Sequence, residues 1–349
     1  MRLGLALAAV QSGRLSQSGR AAWAVACAAV HLLIVKTSSL GDVIHALPLV
    51  SDLARVRPQA RIDWAVEEAF AAIPRLHPAV AQVIPVALRR WRRSLWRPAT
   101  WGEVAQARAR LREADYDLVL DCQGLVKSAL VARWAQAPVA GPDRRSAREP
   151  LAARAYSRPV GLDRSLHAVA RNRALGAAAL GYSIDGEPPR FGLAAGSVPA
   201  ALAAQVAAPY AVLLTNASRS SKLWPDERWT AVAAALAGRG WASLLFWGSD
   251  EEGERTRARA AGMQRATVMP RCSLPDIAAV LARAQVVVGL DTGLTHLAAA
   301  LDVPTIGLFC DYDPRLVGLT GARCTSLGGV AVQPEVAQVL AALDRLLAS

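Results

Sequence analysis

Twice along this chain of 349 residues, short apolar runs alternate with segments whose apolar residues recur every three or four positions. Regular alternation of strand and helix forces βαβ units, with right-handed crossovers and strands that lie mostly parallel. In the first half the runs 32–35, 62–66, 82–86 and 118–120 read as strands; in the second, 212–215, 243–247, 267–269, Val286–Leu290 and Thr305–Phe309 do. Val43, Leu47, Val50 and Leu53 predict a helix, which Pro48 should bend or delay. Further helices are predicted over 104–114, 125–134, 226–238, 252–261, 274–284, 294–301 and 335–347. The stretch 181–209 is rich in Gly, Pro and Ala and weakly periodic. It separates an N-terminal unit, 30–185, from a C-terminal unit, 210–349, with the linker at 186–209. A chain of this length exceeds one ordinary core, and its 53% apolar content can fill two.

The formal net charge is +12. Such an excess suits nucleic acid, an anionic membrane surface or a phosphorylated substrate. Arg89, Arg90, Arg92, Arg93 and Arg97 are interleaved with Trp91 and Trp96, while the sequence signatures of nucleic-acid-binding modules are absent, so no nucleic acid is expected. The five cysteines, Cys27, Cys122, Cys272, Cys310 and Cys324, form no CxxC pair and read as reduced cytosolic thiols. Residues 1–29 precede the first strand with an apolar stretch too short to span a membrane. They are expected to be an extension that is not native or not ordered, with the true start near Val30.

Four strand ends carry polar residues that can do chemistry. After the first strand, Lys36-Thr-Ser-Ser-Leu-Gly-Asp42 makes a small-residue turn into a helix. A strand end in an open α/β sheet is where ligands bind, yet an Asp there is also a favoured helix cap. Thr215 to Asp226 holds Ser218 and Lys222 in a polar loop before Pro225; they suit phosphate oxygens, or form a solvated loop. Asp291-Thr292-Gly293 ends a strand and starts a helix whose free N–H groups make an anion site, with His296 one turn in. Trp247 to Glu252 ends another strand with three acids, one of which can take a ribose. No metal-ligand spacing occurs, and neither a Walker loop nor GxGxxG is present.

Together these segments resemble the ADP-heptose-dependent glycosyltransferases of family 9, which build the inner core of lipopolysaccharide. The resemblance runs from about Val30 to the C-terminus. It is carried by KTSSLGDVIHALP at 36–48, DWAVEE at 63–68, VIPVALRRWRR at 83–93, DCQGLVKSAL at 121–130, AREPLA at 147–152, KLWP at 222–225 and GLDTGLTHLAAA at 289–300. It implies a GT-B α/β fold, two Rossmann-like domains facing a central cleft, and an inverting transfer needing neither metal nor cofactor. The implied donor is ADP-L-glycero-D-manno-heptose, and the implied acceptor is Kdo2-lipid A at the cytoplasmic face of the inner membrane, where the protein would sit peripherally.

Carried over by motif, Asp42 matches the family's general base. Ser218 and Lys222, with Thr292 and Gly293, match the diphosphate contacts. Asp291 and His296 match donor-sugar and donor-pocket residues, Glu252 the ribose carboxylate, and Cys272 a position beside adenine where Met is common. Arg89, Arg92, Arg93 and Arg148 match basic residues that hold an anionic acceptor. KTSSLGD favours the first heptose transfer over a later one onto an already heptosylated core. A nicotinamide dehydrogenase and a non-catalytic membrane scaffold are the readings from other classes.

Overall fold

The computed structural model describes residues 30–348; the expectation about 1–29 lies outside the described residues. The N-terminal strands β1 (His31–Val35), β2 (Arg61–Glu67), β3 (Val80–Val86), β4 (Leu118–Asp121), β5 (Val139–Pro142) and β6 (Arg158–Val160) form one parallel sheet in the order β3-β2-β1-β4-β5-β6. The strands β7 (Tyr210–Leu214), β8 (Ala242–Leu245), β9 (Ala266–Val268), β10 (Val286–Leu290), β11 (Thr305–Phe309) and β12 (Cys324–Gly328) form a second, in the order β12-β11-β10-β7-β8-β9. Each sheet runs outward from its first strand in both directions. The two halves therefore repeat one Rossmann-like topology, and the winding reverses between β1 and β4 and again between β7 and β10. Those reversals open crevices at the carboxyl ends of the strands.

Central strands such as β7, β10 and β11 are buried at every residue, as covered parallel strands must be. One carboxylate, Asp63, is fully buried in β2, where it accepts from the Tyr116 hydroxyl (3.0 Å) and lies 2.9 Å from His31 Nε2.

Among the described residues the α-helices of five residues or more are α1 (Leu40–Ile44), α2 (Leu47–Val56), α3 (Leu88–Arg93), α4 (Pro98–Glu113), α5 (Val126–Trp134), α6 (Ala168–Leu180), α7 (Asp226–Gly238), α8 (Asp250–Ala261), α9 (Leu274–Leu281), α10 (Gly293–Ala300) and α11 (Val336–Ala348). The single helix expected over 43–53 is two. Pro48 sits in the first turn of α2, where its missing N–H costs nothing, and the chain turns at His45 and Ala46.

One apolar cluster spans both halves, joining Leu32, Val43, Ile44 and Leu47 to Ile277, Val287, Leu297 and Ala298. At its centre α1 packs on α10. A Cβ at Gly293 would lie 2.4 Å from Leu40 Cγ, so only glycine allows this approach. Among the described residues no helix is long and apolar enough to cross a membrane.

Candidate active site

The turn after β1 is held from below. Gln123 Oε1 accepts from the N–H groups of Thr37 (3.1 Å) and Ser38 (3.2 Å), and the buried Lys36 donates from Nζ to the Cys122 carbonyl at 2.7 Å. Ser39 is the N-cap of α1, which places Asp42 three residues in rather than at the cap itself. Asp42 Oδ2 accepts from the Ser39 N–H (2.9 Å) and hydroxyl (3.1 Å), and Arg148 Nη1 lies 3.7 Å from the same oxygen. Burial pushes this carboxyl up, but Lys36, the Ser39 N–H and Arg148 outweigh it and hold Asp42 below the usual carboxylate range.

The second half contributes a tighter group. Lys222 Nζ donates to Asp291 Oδ2 (2.5 Å) and to the Asp291 carbonyl (3.0 Å), and His296 Nε2 lies 3.3 Å from Asp291 Oδ1. Burial raises the Asp291 carboxyl, yet His296 and Lys222 together bring it below its ordinary value. Thr292, not Asp291, caps α10 with extended backbone, so the N–H groups of Gly293 and its neighbour head that helix. The two groups meet through α1: a Cβ at Gly41, the residue before Asp42, would lie 3.4 Å from His296 Cδ2 and 4.0 Å from Gly293 Cα.

Glu252, Cys272 and Ser218 lie along the carboxyl edge of the second sheet and share no hydrogen bond with that group. Glu252 closes a capping box at the start of α8: Oε2 accepts from the Gly248 N–H (2.8 Å), while its own N–H donates to Ser249 Oγ (3.3 Å). Cys272, half-buried before α9, donates from Sγ to the Pro270 carbonyl at 3.2 Å. Ser218 is exposed in the loop after β7.

Arg89 and Arg93, with Arg97, line an open groove together with Glu68, Trp96 and the buried Glu67; Arg92 is exposed on α3 but does not line it. Arg90, in the same run, is tied to Glu68 and Glu103. Arg148 stands apart from that groove, beside Asp42.

Sequence reading gave no role to Lys36, Gln123 or His45, although all three stand in the quoted motifs. A lysine directly after an apolar strand was the available signal for Lys36. Nothing local points from His45 to His296, which lies 251 residues away and 3.2 Å across.

The family model described as glycosyltransferase family 9 (heptosyltransferase) matches residues 104–340. The chain is 49% identical over 300 residues to lipopolysaccharide heptosyltransferase 1 of Pseudomonas aeruginosa, covering 86% of this chain and 84% of that protein. A solved structure of the Escherichia coli heptosyltransferase WaaC with ADP superposes at a TM-score of 0.84 and 39% identity, over 91% of this chain and all of that one. WaaC with ADP-2-deoxy-2-fluoro heptose superposes at 0.76 and 38% identity, over 91% and 99%.

Proposed function

The chain belongs to glycosyltransferase family 9, the heptosyltransferases, and from that premise we propose that it transfers L-glycero-D-manno-heptose from ADP-heptose to the first Kdo of Kdo2-lipid A. One observation carries the reading. The turn bearing Asp42 and the Lys222–Asp291–His296 group arise from different sheets and come together where α1 packs on α10. An acceptor hydroxyl and a sugar diphosphate need such a shared edge.

In this mechanism Asp42 takes the proton of the Kdo hydroxyl as that oxygen attacks the anomeric carbon, and ADP leaves from the opposite face with inversion. Asp42 is ionised at neutral pH, which a general base requires. The leaving diphosphate gains charge; Lys222, Ser218 and the N–H groups of Thr292 and Gly293 meet it. Asp291 and His296 face the heptose. Both Glu252 bonds to Gly248 and Ser249 fall on Oε2, so Oε1 keeps acceptor capacity for ribose hydroxyls. Backbone beside Cys272 meets adenine. Arg89, Arg92, Arg93 and Arg148 hold the anionic acceptor with their planar forks.

Contact with an anionic inner-membrane surface on its cytoplasmic side belongs to the same proposal. Leu95, Trp96 and Trp101 are exposed by 49%, 75% and 57%, beside Arg92, Arg93 and Arg97. Aromatic and aliphatic tips set among arginines suit a lipid headgroup layer. In vesicle sedimentation, phosphatidylglycerol vesicles should retain the protein and phosphatidylcholine vesicles should not; equal partition would remove the membrane from the proposal.

The deciding assay is ADP release from ADP-heptose in EDTA, with and without de-O-acylated Kdo2-lipid A. Release that depends on this acceptor supports the reading. Release only with an already heptosylated acceptor would assign a later transfer instead.

A further inference from the structure

His45 is the residue on which the two halves converge, and the transfer mechanism gives it no part. It is buried at the end of α1, three residues after Asp42, and its Nε2 lies 3.2 Å from His296 Nδ1 on α10. The rings meet edge to face with centroids 4.6 Å apart. Asn172 Nδ2 on α6 donates to the His45 carbonyl at 3.0 Å, and the His167 ring closes the other side at 5.5 Å. His167 itself crosses to the second half, with Nε2 3.0 Å from the Gly318 carbonyl.

Donor and acceptor roles follow from the far end of this row. A carboxylate only accepts, so His296 Nε2 carries the proton it shares with Asp291. Lys222 occupies Oδ2 of the same carboxylate, and with its one proton on Nε2 a singly protonated His296 presents Nδ1 as an acceptor. His45 Nε2 must then be the donor.

We propose that His45 is a positioning residue for the donor site: by donating from Nε2 to His296 Nδ1 it orients His296, and through it Asp291, and holds the turn that bears Asp42 against α10. Burial holds His45 well below the ordinary imidazole range, which agrees with a neutral donor. The inference rests on the assignment of Asp291 and His296 to the heptose, but its first test needs neither acceptor nor transfer.

That test is the 15N–1H spectrum of the imidazoles at pH 7.5, practicable because the chain has five histidines. His45 and His296 should both be Nε2–H tautomers. A doubly protonated His296, or a His45 protonated at Nδ1 alone, would overturn the proposal. The second test is kinetic. His45→Phe keeps the ring and removes the donor, and should weaken ADP-heptose binding about ten-fold, the value of one buried hydrogen bond, while leaving ADP binding within about two-fold. His45→Gln keeps an N–H and should recover most of the loss. In a His296→Ala background His45→Phe should cost nothing further. Equal losses for ADP and ADP-heptose, equal behaviour of the Phe and Gln variants, or additive losses with His296→Ala would each reduce His45 to packing. Should His45→Phe fail to fold, the tautomers and the Gln variant still decide.

Discussion

Among the described residues the partners of Asp42, the Ser39 N–H and hydroxyl and the Arg148 guanidinium, fall on Oδ2, which leaves the Oδ1 lone pairs for an incoming hydroxyl. The residue thus serves a helix start and can serve a reaction, and a substitution can separate the two. Asn keeps an oxygen for the Ser39 N–H but cannot take a proton. Asp42→Asn should retain ADP-heptose affinity and thermal stability while kcat falls by roughly 10²–10⁴-fold. Near wild-type turnover would leave Asp42 with capping alone. Because the base must be ionised and its carboxyl is held low, the acid limb of kcat/KM due to Asp42 should lie below the usual carboxylate range. Residues of this kind were legible. A carboxylate between an apolar strand and a helical pattern has few jobs open to it. Its position within the helix start was not legible, because Ser39 and Asp42 are both good caps and only the first-turn geometry chooses between them.

At the level of elements, most of the strands legible in the sequence, β1, β2, β4, β7, β8, β10 and β11, are buried at nearly every residue and leave an apolar run. The edge strands β3 and β9 were legible from their short apolar runs alone. The three that were missed, β5, β6 and β12, are short and carry Gly, Pro or polar residues: Val139-Ala-Gly-Pro142, Arg158-Pro-Val160 and Cys324-Thr-Ser-Leu-Gly328. β6 and β12 are edge strands, where a proline or a polar face breaks no ladder. Helix α4 begins at Pro98, six residues before the expected start at 104, because its first turns are exposed and give no apolar period. The packing of α1 on α10 was not legible either, although both glycines that permit it stand in recognisable motifs. Gly293→Ala tests that contact. The new Cβ would meet Leu40 Cγ at 2.4 Å and Cβ at 2.6 Å, forcing the helices apart at a cost of about 1–3 kcal/mol. Urea unfolding should show that loss, and ADP should bind more weakly as the head of α10 shifts. Unchanged stability would mean that α1 yields freely.

Across the whole molecule, motif spacing placed each polar group on its strand end, whereas the contacts that join the halves are carried by residues far apart in sequence. His45 to His296 is one such contact and His167 to Gly318 another, 151 residues apart. Burying these histidines has a consequence for the folding equilibrium. Burial lowers His45, His77 and His167 from the ordinary imidazole value, His77 to about 4. Each is therefore protonated in the unfolded chain before it is protonated in the folded one. Between pH 6.5 and about 4 the unfolded state binds more protons, so stability rises with pH there and falls on acidification. Each group adds a slope of up to about 1.4 kcal/mol per pH unit within its own window. Asp42 and Asp291, held low instead, lose their contribution only as pH drops through and below the ordinary carboxylate value, so the two effects are separated on the pH axis. Urea midpoints should fall from pH 7 to pH 4.5, above the limb of Asp42 and Asp291. His77, whose Nε2 lies 2.9 Å from Ser51 Oγ beneath Gly192 and whose Nδ1 accepts from the Ala79 N–H, is bonded to neither Asp42 nor the Lys222–Asp291–His296 group. His77→Gln should flatten part of that slope without changing ADP affinity. A midpoint that stays level from pH 7 to pH 4.5 would show that the buried imidazoles are hydrated enough to take up protons in the folded protein.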